Sequence, residues 1–375
     1  MGRVAWIVCV VAVAASVAVA EQPPRRLLCV SVTTGFRHAS IPVAEAALEE
    51  IGRESSLFHL DWLRQPPGRP QPPKPPQRGP ATTAEEWQTR QEEFRTARQA
   101  FERDEAAWQS GLRERLATAF SPATLAAFDG VIFASTTGDL PIPDMDAFLA
   151  WIASGKAFVG FHAATDTFKG SDAFVAMIGG YFAGHPWRAG GEHGFVVHEP
   201  GHRIAAMLPA RFRWQDEIYQ YDDRYVPENV RVLVSLDMTA SDPREPWHVP
   251  VSWIREYGKG RVFSTNFGHN EATWREPMFR RHAAEGIAWA LGLVDAPAEP
   301  NPDVQAAEFV RSVVAAAAAT TEGNADELLA AADARMAADP GWAAGQRPKL
   351  AGLRDLKPEA RAPAYAEFVA DLLKH

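Results

Sequence analysis

A chain of 375 residues, 46% of them hydrophobic, can bury a large core without help from cross-links. Its formal net charge of −9 argues against nucleic acid and anionic membrane surfaces as partners. Of the two cysteines, Cys9 falls in a segment expected to be removed, so the mature chain keeps Cys29 alone and no internal disulfide.

Met1-Gly2-Arg3 supplies a positive charge, residues 4–17 are apolar, and Ala18-Val19-Ala20 offers small residues where a signal peptidase reads. Residues 1–20 therefore read as a signal peptide, and the protein is expected to be secreted or periplasmic. No later segment is long and apolar enough to span a membrane. Strand-like runs then follow at residues 27–32, 57–63, 130–135, 157–161, 195–198, 230–236, 249–254 and 261–265. Helical patterns lie between them at 42–51, 144–153, 172–182 and 277–291. This alternation predicts an α/β fold over residues 25–295, a mostly parallel sheet sandwiched by helices. The last connections are too short for a crossover helix, so the late strands are open to antiparallel pairing. Cys29 sits mid-strand and reads as a small buried hydrophobe.

One insertion, residues 65–119, interrupts this pattern. Its first part, 65–80, is dense in proline and reads as an extended linker. Residues 84–119 read as a single long helix on which Trp87, Phe94, Phe101 and Trp108 recur every seven positions. That stripe is expected to pack along the body or against another subunit, which leaves a homo-oligomer through this helix open. A proline-rich boundary near residue 297 precedes an alanine-rich helical appendage at 301–375, for which few crossing contacts are expected.

In an open parallel sheet, ligands bind beyond the carboxyl ends of the strands. Four strand ends here carry polar or glycine-rich clusters: Gly35-Phe36-Arg37-His38, Thr136-Thr137-Gly138-Asp139, Gly160-Phe161-His162 to Asp166, and Asn266-Phe267-Gly268-His269. His162 follows its strand as a nucleophile does at a strand-to-helix elbow, and an imidazole there can move protons or bind a metal. Asp166, one turn on, is the candidate to orient it. His38 and His269 are the further catalytic candidates, with all three rings expected within about 10 Å. Arg37, Glu217, Tyr219, Trp187 and His185 are the candidate substrate contacts, since carboxylates, arginines and aromatic faces suit sugar hydroxyls and rings. Trp247 and Trp274 are further stacking candidates. A buried structural histidine is the competing reading of His162. The many imidazoles leave a divalent metal open, and no other cofactor is assigned.

These residues resemble the ThuA-like (trehalose-utilisation) family. The likeness is carried by Gly35-Phe36-Arg37-His38, Gly160-Phe161-His162-Ala163-Ala164-Thr165-Asp166, Gly179-Gly180-Tyr181-Phe182, Gly184-His185-Pro186, Asp216-Glu217-Ile218-Tyr219, residues 258–263, Gly268-His269 and residues 286–290. One departure is His202-Arg203-Ile204, where a proline is usual after the histidine. The insertion and the tail fall outside the pattern. The resemblance implies a flavodoxin-like, class I glutamine amidotransferase-like fold in which His162 stands where the nucleophilic cysteine would be, so thiolate amide hydrolysis is not expected. It also implies carbohydrate metabolism: a small-molecule carbohydrate as partner, and histidine acid/base chemistry, metal-assisted or not, on a glycoside or 3-keto glycoside. A non-catalytic sugar-binding protein and a metal-dependent hydrolase of another substrate class stay open beside it.

Overall fold

A computed structural model describes residues 23–321 and 324–374. The signal-peptide expectation falls outside them. In chain order the elements are β1 (Arg25–Val30), α1 (Ile41–Ser55), β2 (Phe58–Leu63), α2 (Ala84–Ala119), α3 (Pro122–Leu125), β3 (Gly130–Ala134), α4 (Met145–Ala153), β4 (Ala157–Phe161), α5 (Asp172–Ile178), β5 (Phe182–Trp187) and β6 (Glu192–Val197). There follow β7 (Arg211–Gln215), β8 (Ile218–Tyr221), β9 (Arg231–Asp237), β10 (Pro250–Tyr257), β11 (Gly260–Thr265), α6 (Glu271–Arg275), α7 (Pro277–Ala290), α8 (Pro302–Thr321), α9 (Ala325–Ala338), α10 (Trp342–Asp355) and α11 (Pro358–Leu372). None of these helices is long and apolar enough to cross a membrane.

The main sheet has nine strands in the order β2-β1-β3-β4-β11-β10-β9-β6-β7. The first five pair in parallel, and the remaining neighbours pair antiparallel, so only β10 and β6 run against the rest. The expected mostly parallel α/β fold is thus borne out, with the order of a doubly wound sheet at its parallel end. β3 and β4 are buried along their whole length because helices cover both faces, which is why they read as unbroken apolar runs. Close approaches fix the layers. Gly286 lets α7 lie on the Phe263 ring of β11, where a Cβ would overlap the ring. Gly138, at φ +75°, lets the loop after β3 lie against Thr34 and Gly35 beyond β1.

Three strands escaped the sequence reading. β5 and β8 form a separate two-stranded ribbon, and β7 is the edge of the main sheet. β5 begins at Phe182, inside the expected helix, because Gly179 at φ +104° ends α5 one turn earlier.

α2 starts with a capping box between Thr83 and Glu86. Its aromatic stripe is half-buried under the chain's own proline-rich segment. Trp108 Nε1 donates to Pro66 O at 3.3 Å, Arg69 lies over the Trp108 ring and Arg78 over Trp87. Only Leu112 and Leu116 of this helix are fully buried against the body.

The tail crosses to the body more than its proline boundary suggested. Asn301 pairs with both backbone groups of Val232, and Gln305 donates to Pro227 O and Val230 O. Ala315 joins the main core, and Arg361, Arg354 and Arg347 reach Glu245, Asp223 and Glu228. Truncation at residue 301 would expose the apolar face on which α8 is seated.

Glu308 on α8 is almost wholly buried, with Arg311 Nη1 3.4 Å away. Burial pushes its pKa up to about 7, and Asp237 adds to that while Arg311 and Arg211 oppose it. An unfolded glutamate ionises near 4.5, so between that value and about 7 the folded chain holds more protons. Stability therefore falls as pH rises through this window. Glu308→Gln cannot ionise and is expected to flatten the fall. Thermal melts at about pH 5 and about pH 8 should show a smaller drop in Tm for the variant than for wild type.

Candidate active site

β4 runs directly into a short 3-10 turn, His162–Asp166, and His162 sits at φ +47°, a strained conformation for a residue with a side chain. Its ring is buried, and Nδ1 lies 2.9 Å from the carbonyl oxygen of Asn266, beyond β11. A carbonyl only accepts, so Nδ1 carries the proton and Nε2 presents a bare lone pair. Burial lowers the His162 pKa well below the usual imidazole range, and the neighbouring His38 and His269 lower it further.

That lone pair faces a cluster. His269 Nδ1 is 3.1 Å from His162 Nε2 and 3.0 Å from Glu217 Oε2, and Glu217 Oε2 is 3.9 Å from His162 Nε2. His38 closes the group, its ring centroid 4.7 Å from that of His162 and 5.1 Å from that of His269. One donor atom from each of His38, His162, Glu217 and His269 can be chosen so that all lie within 4.8 Å of one another. These side chains come from the carboxyl ends of β1, β4 and β11 and from the β7–β8 turn, so the sheet order brings them together.

The electrostatics of the cluster follow from its burial and its one carboxylate. Burial holds the His38 pKa down at about 4, with His269 and His185 lowering it and Glu217 raising it. Burial is the largest influence on His269 and would lower it, but the hydrogen bond to Glu217 and the charges of Glu217 and Asp216 together outweigh that and raise its pKa. Glu217 in turn falls below the usual glutamate value, because His269, His185 and His38 outweigh its desolvation. His38 Nδ1 is buried without a hydrogen-bond partner among the described residues. Three imidazoles and a carboxylate are a donor set suited to a divalent transition metal such as zinc, with backbone and carboxylate partners holding the rings in line.

Asp216 holds the frame. It is fully buried and accepts from Gly268 N and Asn270 N, each at 2.8 Å, from Thr273 Oγ1 at 2.9 Å and from Glu217 N at 3.1 Å. Burial pushes its pKa up to about 6 against the pull of these four donors. The loop carrying His269 and the turn carrying Glu217 are thereby tied to one carboxylate. Asn266 adds a second tie, since its Oδ1 accepts from Tyr219 N at 2.7 Å. Neither role is visible from spacing, because every partner except the adjacent Glu217 N is 47 or more positions away.

Several expected residues stand elsewhere. Asp166 does not orient His162: it accepts from Tyr181 Oη at 3.0 Å, and both nitrogens of the His162 ring face other groups. Trp187 is wholly buried and donates to Pro243 O, so it is core and cannot stack on a ligand. Trp274 is core as well, and Trp247 lines a separate crevice near α8 and α10. Arg37 lies beside the cluster, its Nη1 donating to Ser31 O and Gln65 Oε1. Tyr219 is buried, packed over His162 with centroids 4.7 Å apart, and its Oη is 3.4 Å from His38 Nε2. Burial keeps its phenol protonated well above the usual tyrosine range. His185 is half-exposed at the rim, with Nδ1 3.4 Å from Glu217 Oε1 and 3.1 Å from Arg188 Nη1.

Comparison with known proteins meets this geometry. The chain matches the ThuA family, described as trehalose utilisation, over residues 81–290. The matched stretch takes in α2, which had read as outside the family pattern, and leaves out the motif ending at His38. No curated protein matches the chain. Among solved structures it is similar to a ThuA-like protein of Parabacteroides merdae, at 16% identity and a TM-score of 0.48, covering 75% of this chain and 99% of that one. A ThuA-like protein of Bacteroides uniformis is similar at 19% identity and a TM-score of 0.46, covering 72% and 93%. With more than half of its length matched, the chain belongs to the ThuA (trehalose-utilisation) family, a family of carbohydrate metabolism.

Proposed function

We propose that the protein is an exported enzyme acting on a glycoside or 3-keto glycoside, and that His38, His162, His269 and Glu217 hold a divalent metal ion at the reacting sugar. The observation that supports this reading is the convergence of four donor atoms within 4.8 Å. The orphaned Nδ1 of His38 favours a bound cation over a purely structural cluster. The apolar N-terminal run supports export.

A ketone at C3 makes the C2 hydrogen acidic. Loss of that proton to a base, breaking of the C1–O bond and protonation of the leaving oxygen together release the group at C1. A divalent ion supplies Lewis acidity at a sugar oxygen. Glu217 turns Oε2 toward the imidazoles and Oε1 toward His185, so one carboxylate can hold the ion and pass a proton to the rim. Tyr219, neutral and packed on His162, keeps that ring in its plane.

The test is turnover of a 3-keto glycoside by the purified protein before and after chelation. Activity should vanish with the metal and return when a divalent ion is added back. Turnover indifferent to chelation would remove the metal from the reading. Sugar binding with no turnover of any glycoside would favour the non-catalytic alternative.

A further inference from the structure

Release of the group at C1 needs a base for the C2 proton, and the histidine cluster does not supply one. Coordination of an ion takes up one donor atom from each of His38, His162, His269 and Glu217. Glu217 Oε1 remains, but it faces His185 Nδ1 at 3.4 Å, and the neighbouring imidazoles hold this carboxylate below the usual glutamate value, which makes it a weak base. His185 stands at the rim, yet the Arg188 guanidinium 3.1 Å from its Nδ1 opposes the charge the ring would gain with a proton. Asp166 meets neither objection.

Asp166 closes the 3-10 turn that His162 opens, and at about 2 Å of rise per residue the two lie roughly 8 Å apart along the backbone. Gly138 N donates to its carbonyl oxygen at 2.8 Å, and Tyr181 Oη donates to its Oδ1 at 3.0 Å. Gly138 in turn lies against Thr34 and Gly35, at the start of the loop that carries His38. In the strand row β1-β3-β4-β11, β3 brings no histidine to the mouth, and the loop after β3 is the one bonded to Asp166. Oδ2 has no hydrogen-bond partner among the described residues, and the side chain is half-buried, not enclosed. Burial raises the Asp166 pKa and Asp139 adds to that, while the Tyr181 hydrogen bond and Lys169 oppose it. A carboxylate lifted in this way accepts a proton more readily than an ordinary aspartate. Its charge also reaches the site: after burial and Glu217, Asp166 is the next influence that raises the phenol of Tyr219, the ring packed over His162.

We propose that Asp166 is the base that takes the C2 proton, with Tyr181 Oη holding Oδ1 so that Oδ2 faces the substrate. This rests on the 3-keto glycoside reading of the histidine site. The C2 hydrogen passes to Oδ2 as a proton, and its electron pair becomes the second bond between C1 and C2. The C1–O pair departs with the leaving oxygen, which takes a proton from solvent, and Asp166 returns its own to solvent. No oxidant, reductant or net proton is needed. Tyr181 is a positioning residue in this scheme, and His162 and Asp166 serve the two halves of one turn: one holds the ion, the other moves the proton.

The test follows methyl 3-keto-α-glucoside with the full-length mature protein in D2O, reading C2–H exchange and methanol release by proton NMR. Asp166→Asn keeps an acceptor for Tyr181 and is expected to slow both about 10³-fold, with KM within about twofold and metal content as in wild type. Tyr181→Phe frees Oδ1 and should lower kcat about tenfold at unchanged KM. Asp166→Ala should regain part of its lost turnover when formate is added, which a merely structural carboxylate would not show. Circular dichroism checks the fold of each variant. Asp166→Asn with wild-type exchange would overturn the base, as would a loss that tracks metal content or Tm, or a comparable loss found only in His185→Gln. In each of those cases wild-type turnover leaves the 3-keto glycoside reading standing. Wild type that neither exchanges C2–H nor releases methanol removes that reading, and the role of Asp166 with it.

Discussion

His162→Ala is expected to lower kcat/KM on a 3-keto glycoside by about 10³-fold or more and to strip the bound metal. The lost Nε2 is one of four donors gathered within 4.8 Å of one another. Stability should change far less. The ring meets Asn266 O through Nδ1 and His269 Nδ1 through Nε2, two hydrogen bonds worth about 1 kcal/mol each, and alanine tolerates φ +47° no worse than histidine does. Comparing Tm in metal-free samples removes the stabilisation that a bound ion gives to wild type alone. A variant that melts far earlier yet keeps full activity would mark His162 as a structural histidine.

Asp216→Ala should be the most destabilising single change near the site. It leaves two backbone N–H groups of the β11–α6 loop, the Glu217 N–H and the Thr273 hydroxyl without their acceptor in a fully buried place. A loss of about 3–5 kcal/mol, or a drop in Tm on the order of 10 °C, follows from that many unpaired donors. Activity should fall as well, because His269 and Glu217 lose their common anchor. Asp216→Asn separates the two effects: its Oδ1 still accepts, but its amide turns donors toward donors. It should recover part of the Tm and less of the activity. If Asp216→Ala melts like wild type, the loop is held by something other than this carboxylate.

How much of this could be read from the sequence depended on how local the cause was. The inner parallel strands β3 and β4 showed as apolar runs because both of their faces are buried, and β4 was delimited to the residue. β7 and β8 did not show: one is a charged edge, Arg211–Gln215, and the other spans only Ile218–Tyr221. Histidines at strand ends were visible as candidates because sheet topology turns sequence position into spatial neighbourhood. Asp166 misled for a related reason. One helical turn of separation suggests contact with His162, but a 3-10 turn entered at positive φ sends the two side chains to different partners. Trp187 was drawn in by composition alone, and nothing in its neighbours signalled that the indole would be sealed in the core. Glu217 read as a sugar contact. Its approach to His162 and His269 comes from the Asp216 and Asn266 ties, which are long-range and leave no periodic trace.

The most direct measurement is the metal content of the purified protein, by elemental mass spectrometry, alongside that of His162→Ala and Glu217→Gln. About one divalent ion per chain in wild type, and well under half of that in each variant, is the expected result. Wild-type protein that neither carries nor takes up a divalent ion, yet still turns over a 3-keto glycoside, would contradict a metal centre built from His38, His162, His269 and Glu217.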